Sequence, residues 1–132
     1  MFKNKPYVVH EDEREFESWS HKGYGAARWK TLLSADRTPT SGLVLGLAEI
    51  ESGESGVFRS HHHDFAEAYY ILSGEGVVKI ADQDFVVKTG TTTFMPEGAE
   101  HAIVNTGPET LRLLYMFPAD SFKQINYRFR EA

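Results

Sequence analysis

The stretch HHHDFAEAYYILSG, residues 61–74, decides how the chain is read: three histidines and a glutamate stand at the mouth of a run that otherwise has the character of a buried strand. Polar groups taken out of water cost free energy unless each finds a partner, so ligand-type side chains at the entry to a core strand call for a compensating interaction. A bound metal is one such interaction. Alternation along a strand puts His61 and His63 on one face and Glu67 and Tyr69 together on a face of the next strand, with Asp64-Phe65-Ala66 turning the chain between the pairs. His62 points the other way, toward solvent.

Outward from this stretch the sequence breaks into short β-rich runs: AARWKTLL, LVLGLAEI, VFRSHHH, EAYYIL, GVVKI, DFVVK, TTTFM, HAIVN and LRLLYMF. Thr38-Pro39-Thr40-Ser41-Gly42, Ser73-Gly74-Glu75-Gly76, Pro96-Glu97-Gly98 and Thr106-Gly107-Pro108 are among the turns that separate them. Nine short strands are enough for an all-β sandwich or barrel, with its core over residues 26–118. A helix is expected between Glu11 and Ser20, where Phe16 and Trp19 sit three apart among acidic residues and would cap one end of the barrel. The tail from Ser121 to Ala132 carries Phe122, Ile125, Tyr127 and Phe129, which implies that it packs back on the core. His10 and His21 read as surface or cap residues, and Asp64 as a turn residue.

The 132 residues, 41% hydrophobic, fit a single domain with one real core. The formal charge of −5, with no basic run, argues against a nucleic-acid partner. No cysteine is present, so any metal must be held by nitrogen and oxygen. The N-terminus MFKNKPYVVH has no apolar signal-peptide core, and no apolar run approaches the ~18 residues of a membrane helix, so a cytoplasmic location without membrane contact is the default expectation.

A lone H-x-H also fits a solvated pair on an edge strand. The second segment, residues 90–105, changes the balance, because its Pro-Glu-Gly turn delivers His101 from another strand. Together the two segments resemble the paired motifs of the cupin superfamily, H-x-H-x(3,4)-E-x(6)-G and G-x(5)-P-x-G-x(2)-H-x(3)-N. His61, His63, Glu67 and Gly74 meet the first, and Gly90, Pro96, Gly98, His101 and Asn105 the second. Thr91 stands where the family commonly has aspartate, and Gly56 lies one residue nearer His61 than is usual. The resemblance implies a double-stranded β-helix, a jelly-roll-like antiparallel barrel, holding one divalent transition metal per chain on His61, His63, Glu67 and His101. Fe, Mn, Ni, Zn and Co all accept three imidazoles and a carboxylate.

Tyr69 lies two positions after Glu67 on the same face and is the candidate base; a core tyrosine bonded to a neighbour has the same pattern. Beyond the motifs, Arg28-Trp29-Lys30, Ser41-Gly42-Leu43, Ala48-Glu49-Ile50, Glu100-His101-Ala102, Phe117-Pro118, Asp120 and Tyr127 make the chain similar to the short cupin dimethylsulfoniopropionate lyases. That resemblance implies a carbon-sulfur lyase in which the metal binds a small carboxylate substrate and Tyr69 removes its α-proton. β-Elimination then releases dimethyl sulfide and acrylate, with Tyr127 as a second pocket tyrosine. An aromatic wall for the sulfonium is available in Tyr24, Trp29, Tyr70, Phe94, Tyr115 and Tyr127. An Fe(II) dioxygenase or isomerase, and a cupin that only binds a small ligand such as a sugar, remain as alternatives. Edge strands of an open barrel call for cover, which implies a homodimer with Tyr7-Val8-Val9 as the segment to exchange.

Overall fold

The structure is a computed structural model and describes residues 4–18, 27–53 and 57–129. After a 3-10 turn at Glu11–Glu13, the strands are β1 (Glu17–Ser18), β2 (Ala27–Leu33), β3 (Val44–Ile50), β4 (Val57–His62), β5 (Glu67–Ser73) and β6 (Glu75–Ile80). They continue with β7 (Gln83–Lys88), β8 (Thr92–Met95), β9 (His101–Asn105) and β10 (Leu111–Phe117), and the tail adds a 3-10 turn (Phe122–Gln124) and β11 (Arg128–Phe129). All nine sequence-predicted strands form. One antiparallel sheet runs β1-β2-β3-β10-β5-β8 and the other β11-β4-β9-β6-β7. Strands β3 to β10 thus interleave as β3-β10-β5-β8 against β4-β9-β6-β7, the connectivity of a jelly roll.

Alternation creates the core. In β10, Leu111, Leu113, Tyr115 and Phe117 are buried while Arg112, Leu114 and Met116 are not. In β5 the same rule turns Glu67, Tyr69 and Ile71 inward together, so a carboxylate shares the face of an apolar core. Each fully buried Leu, Ile or Phe stabilises the fold by about 1.5–3 kcal/mol, and Ile71, Ile103, Leu111 and Phe117 supply this around the polar cluster.

The helix expected between Glu11 and Ser20 does not form. Glu11–Glu13 is a single 3-10 turn, and Glu17–Ser18 pairs with Arg28 and Trp29 of β2; Trp19 and Ser20 lie outside the described residues. Phe16 is exposed, with Arg28 and Lys30 over its ring at 5.0 and 4.6 Å, so the three-residue spacing of Phe16 and Trp19 does not mark a buried helical face. His10 is exposed and accepts from Asp12 N at 3.0 Å, and His21 lies outside the described residues. Tyr7, Val8 and Val9 form no strand, and Val8 is 94% exposed.

The tail packs back as expected. Ser121 and Gln124 form a reciprocal capping box, Ser121 Oγ donates to Asp36 at 2.9 Å, and Phe122 N donates to Ser34 Oγ at 2.9 Å. β11 then pairs Arg128 with His62 and Phe129 with His61, which sets Tyr127 against the histidines.

Gly46 of β3 positions a residue of the cavity. A Cβ there would run into the ring of Tyr115, which lies flat across the β3 backbone. Gly46→Ala should therefore destabilise the protein by about 1–3 kcal/mol through overpacking, read as a lower urea midpoint with an unchanged slope. An unaltered midpoint would show that the Tyr115 ring is free to move.

Candidate metal centre

Three strand ends converge on one point. His61 is the next-to-last residue of β4, His63 follows the strand, Glu67 opens β5 and His101 opens β9. All four are buried, and their ligand atoms lie within 4.8 Å of one another. The turn that precedes His101 is tied to the first motif, because Gly98 N donates to His63 O at 2.9 Å. Gly98 has φ +76, which glycine adopts without steric cost. Asn105, the last residue of the second motif, donates to Ile50 O and Glu109 O at 2.9 and 2.7 Å and holds the far end of β9. Its role is structural.

The second layer sets the tautomers. His63 Nδ1 donates to Phe65 O at 2.7 Å and His101 Nδ1 to Ala99 O at 3.0 Å. A carbonyl only accepts, so both rings carry their proton on Nδ1, and in the neutral form each Nε2 turns a lone pair inward. Glu67 Oε1 lies 3.2 Å from His63 Nε2 and 3.0 Å from His101 Nε2. Lone pairs facing a carboxylate at that range repel unless a cation lies among them, whether protons on the rings or a metal. Burial pushes the Glu67 carboxyl up, and a proton on the facing nitrogen of His101 or His63 pulls it down more strongly, so with such a cation beside it the group sits below the ordinary carboxylate range. The residues present fit a divalent metal: three imidazole nitrogens and one carboxylate oxygen, with main-chain acceptors fixing two of the rings.

A cavity with ≈ 390 Å³ of empty space opens beside the cluster, lined by Glu67, Tyr69, Trp29, Tyr115, Phe122 and Tyr127 among others. Tyr69 is buried, with its ring 6.2 Å from that of His101; Tyr127 is half-buried, with ring centroids 5.0 and 5.3 Å from His61 and His63. Both sequence-predicted tyrosines therefore reach the cluster. Burial, then the Glu67 charge, pushes the phenols of both up. Trp29, Phe122 and Tyr127 also line an outer hollow of ≈ 810 Å³, so these three rings partition the inner cavity from the surface.

The aromatic wall differs in part from the expected one. Trp29, Tyr115 and Tyr127 belong to it, whereas Tyr70 is 42% and Phe94 63% exposed on the outer face, because each is one residue out of phase with Tyr69 or Met95. Tyr24 lies outside the described residues. Phe58 and Phe122 were not foreseen. Phe58 stacks on His61 with centroids 4.3 Å apart although they are three positions apart on one strand, because the register of β4 against β9 shifts between the two. Asp64 is exposed and bonds Arg128 at 3.1 Å, as a turn residue rather than a ligand.

Residues 46–117, more than half of the chain, match the cupin domain family. The chain belongs to the cupin family. Dimethylsulfoniopropionate lyase DddW of Ruegeria pomeroyi is 34% identical to this cupin over 94% of its length and 80% of the relative's. The oxalate-binding protein of Thermotoga maritima is 33% identical, over 70% of this chain and 75% of that one. The structure of the polyketide cyclase RemF from Streptomyces resistomycificus superposes with a TM-score of 0.79 over 97% of this cupin and 87% of that chain, at 21% identity, a likeness of fold. Among the described residues no helix is long and apolar enough to cross a membrane.

Purified protein should carry about one divalent transition metal per chain, and the double variant His61→Ala, His101→Ala should carry none by elemental analysis. Undiminished metal in the variant would contradict the ligand set.

Proposed function

We propose that this cupin is a cytoplasmic carbon-sulfur lyase that takes a small carboxylate substrate, dimethylsulfoniopropionate in the first instance, by removal of its α-proton and β-elimination. The observation that carries this reading is the joining of a buried His61, His63, Glu67 and His101 cluster to an aromatic cavity lined by Tyr69 and Tyr127. The 34% identity to a dimethylsulfoniopropionate lyase supports the substrate. Bound at the cluster, a divalent metal supplies a Lewis acid for the substrate carboxylate and a positive charge that opposes the rise in pKa of nearby phenols.

The chain's own residues then divide the work. His61, His63, Glu67 and His101 hold the metal, and the Phe65 and Ala99 carbonyls keep two of the rings aimed at it. Tyr69, inward on the strand that carries Glu67, acts as the phenolate and takes the α-proton on Oη to become the phenol, and the electron pair of the broken C–H bond forms the alkene as the C–S bond opens and its pair leaves on sulfur. Tyr127, brought to the histidines by β11, orients the substrate. Trp29, Phe122 and Tyr127 exclude water from the cavity and offer aromatic faces to the sulfonium. A second reading, a cupin that only holds its ligand, has the oxalate-binding relative in its favour.

Headspace detection of dimethyl sulfide over metal-loaded protein and dimethylsulfoniopropionate tests the reading. Tyr69→Phe should lower kcat by about 10²–10⁴-fold with metal content and Tm little changed, and Tyr127→Phe should raise KM as well. Full turnover in both variants would make proton removal by tyrosine wrong.

The protein is also proposed to be a homodimer. Phe94 and Tyr70 leave an apolar patch on the outer face at the β8 edge, which a second copy would cover. Light scattering should report a dimer at micromolar concentration and a monomer for Phe94→Glu; a monomeric wild type would contradict it.

A further inference from the structure

Tyr115 is buried in the cavity, and the mechanism above leaves it without a role. One inward-facing row crosses four strands: Tyr69 of β5 opposite Tyr115 of β10, Tyr115 opposite Gly46 of β3, and Gly46 opposite Thr31 of β2. Gly46 is the gap in that row, and the Tyr115 ring lies across it toward Thr31. Tyr115 is 4% exposed, and its Oη has no hydrogen bond of normal geometry among the described residues. A buried phenol usually finds a partner, so this one requires a reason.

The neighbours of the phenol set its polarity. Thr31, whose hydroxyl lies close enough to affect Tyr115, donates its own proton to Glu17 Oε2 at 3.1 Å. Arg37 grips both oxygens of Glu17, at 2.8 and 3.0 Å. Thr31 therefore shows Tyr115 a lone pair, which draws the phenol proton toward β2 and leaves the Oη lone pairs on the cavity side. Burial pushes the Tyr115 phenol far up, so it stays a neutral dipole. Around it Phe122 lies 6.0 Å from both Trp29 and Tyr115, and none of the described lining residues is Lys or Arg. Ring faces and an outward lone pair present negative potential without a formal charge, the environment that favours a cation with no protons to donate. The position also fits: lying over β3, Oη is roughly 10 Å, two strand spacings, from the line of β5 that carries Glu67. A short carboxylate bound at the cluster would bring its far end there.

We propose that Tyr115 Oη is the specificity-determining contact for a cationic, fully alkylated head group at the end of the ligand remote from the metal centre. The proposal rests on the reading of the cavity as a small-carboxylate site, and it assigns the head-group selectivity to one oxygen atom.

Two unreactive probes isolate the head group: trimethylammonio-propanoate, whose amine is a poor leaving group, and its neutral carbon isostere 4,4-dimethylpentanoate. Both carry the same carboxylate, so the metal contribution cancels in the ratio of their Kd values, measured by calorimetry on metal-loaded protein. Wild type should prefer the cation, and Tyr115→Phe should shrink that preference about tenfold, the size of one contact to a charged partner. Its Tm should change little, since the hydroxyl it removes makes no hydrogen bond of normal geometry in the free protein. Thr31→Val, which releases the phenol to turn its proton into the cavity, should shift the ratio in the same direction. Equal ratios in wild type and Tyr115→Phe overturn the proposal, as does a lower Tm with both probes weakened alike, the mark of a structural hydroxyl. A wild type that discriminates yet releases no dimethyl sulfide from dimethylsulfoniopropionate contradicts the lyase reading and leaves the Tyr115 contact standing. A wild type that binds both probes alike overturns the contact whatever it does with that substrate.

Discussion

Everything around the cavity depends on the burial of one carboxylate among three imidazoles. Glu67 sits on the core-facing side of β5, where an apolar residue would stabilise the fold directly, and its oxygen lies within 3.2 Å of two ring nitrogens. Removing a charge from water costs several kcal/mol, roughly, unless the surroundings return it. Here the rings of His63 and His101 use their Nδ1 protons on main-chain carbonyls, so neutral rings offer Glu67 no proton. A shared cation relieves that conflict, and the three strand ends that converge on the point are the part of the fold that makes it available.

The two sheets and the tail then have distinct tasks. The sheet that contains β5 and β10 supplies Glu67 and the hydroxyl row, whereas β4 and β9 supply the histidines, so the centre spans the sandwich. Closure of the cavity falls to the tail, anchored at Ser121 by Asp36 and at β11 by pairing with β4. Because β11 is only two residues long, the Ser121 capping box and buried Ile125 carry much of the attachment. Trp29, Phe122 and Tyr127 stand where tail and barrel meet, between the cavity beside the cluster and the outer hollow.

What the sequence displays openly is what alternation and spacing encode. β-Rich runs between turn residues mark all nine central strands, and two motifs in separate strands bring His61, His63, Glu67 and His101 together, which is how the structure has them. The misread helix at Glu11–Ser20 came from a pair of aromatics at helical spacing, whereas Phe16 is covered by cations from the neighbouring strand. Residue type alone places Tyr70 and Phe94 in the wall; strand phase, fixed by Glu67 and Met95, turns them outward. Phe58 was hidden by a register shift that no local pattern announces. The special position of Tyr115 depends on the absence of a side chain on a different strand, Gly46, and such pairings belong to the topology rather than to any one segment.

The claim that the cluster exists for a cation is tested most directly by thermal denaturation of chelator-treated protein, wild type against Glu67→Gln, at about pH 8. Without metal, Glu67→Gln should be at least as stable as wild type, because it removes a buried charge that lacks a proton donor. Added Mn(II), Fe(II) or Zn(II) should raise the wild-type Tm by mass action and do little for the variant. A metal-free variant less stable than wild type, together with a wild-type Tm that no added metal moves, would mean that Glu67 and its histidines form a self-sufficient polar core.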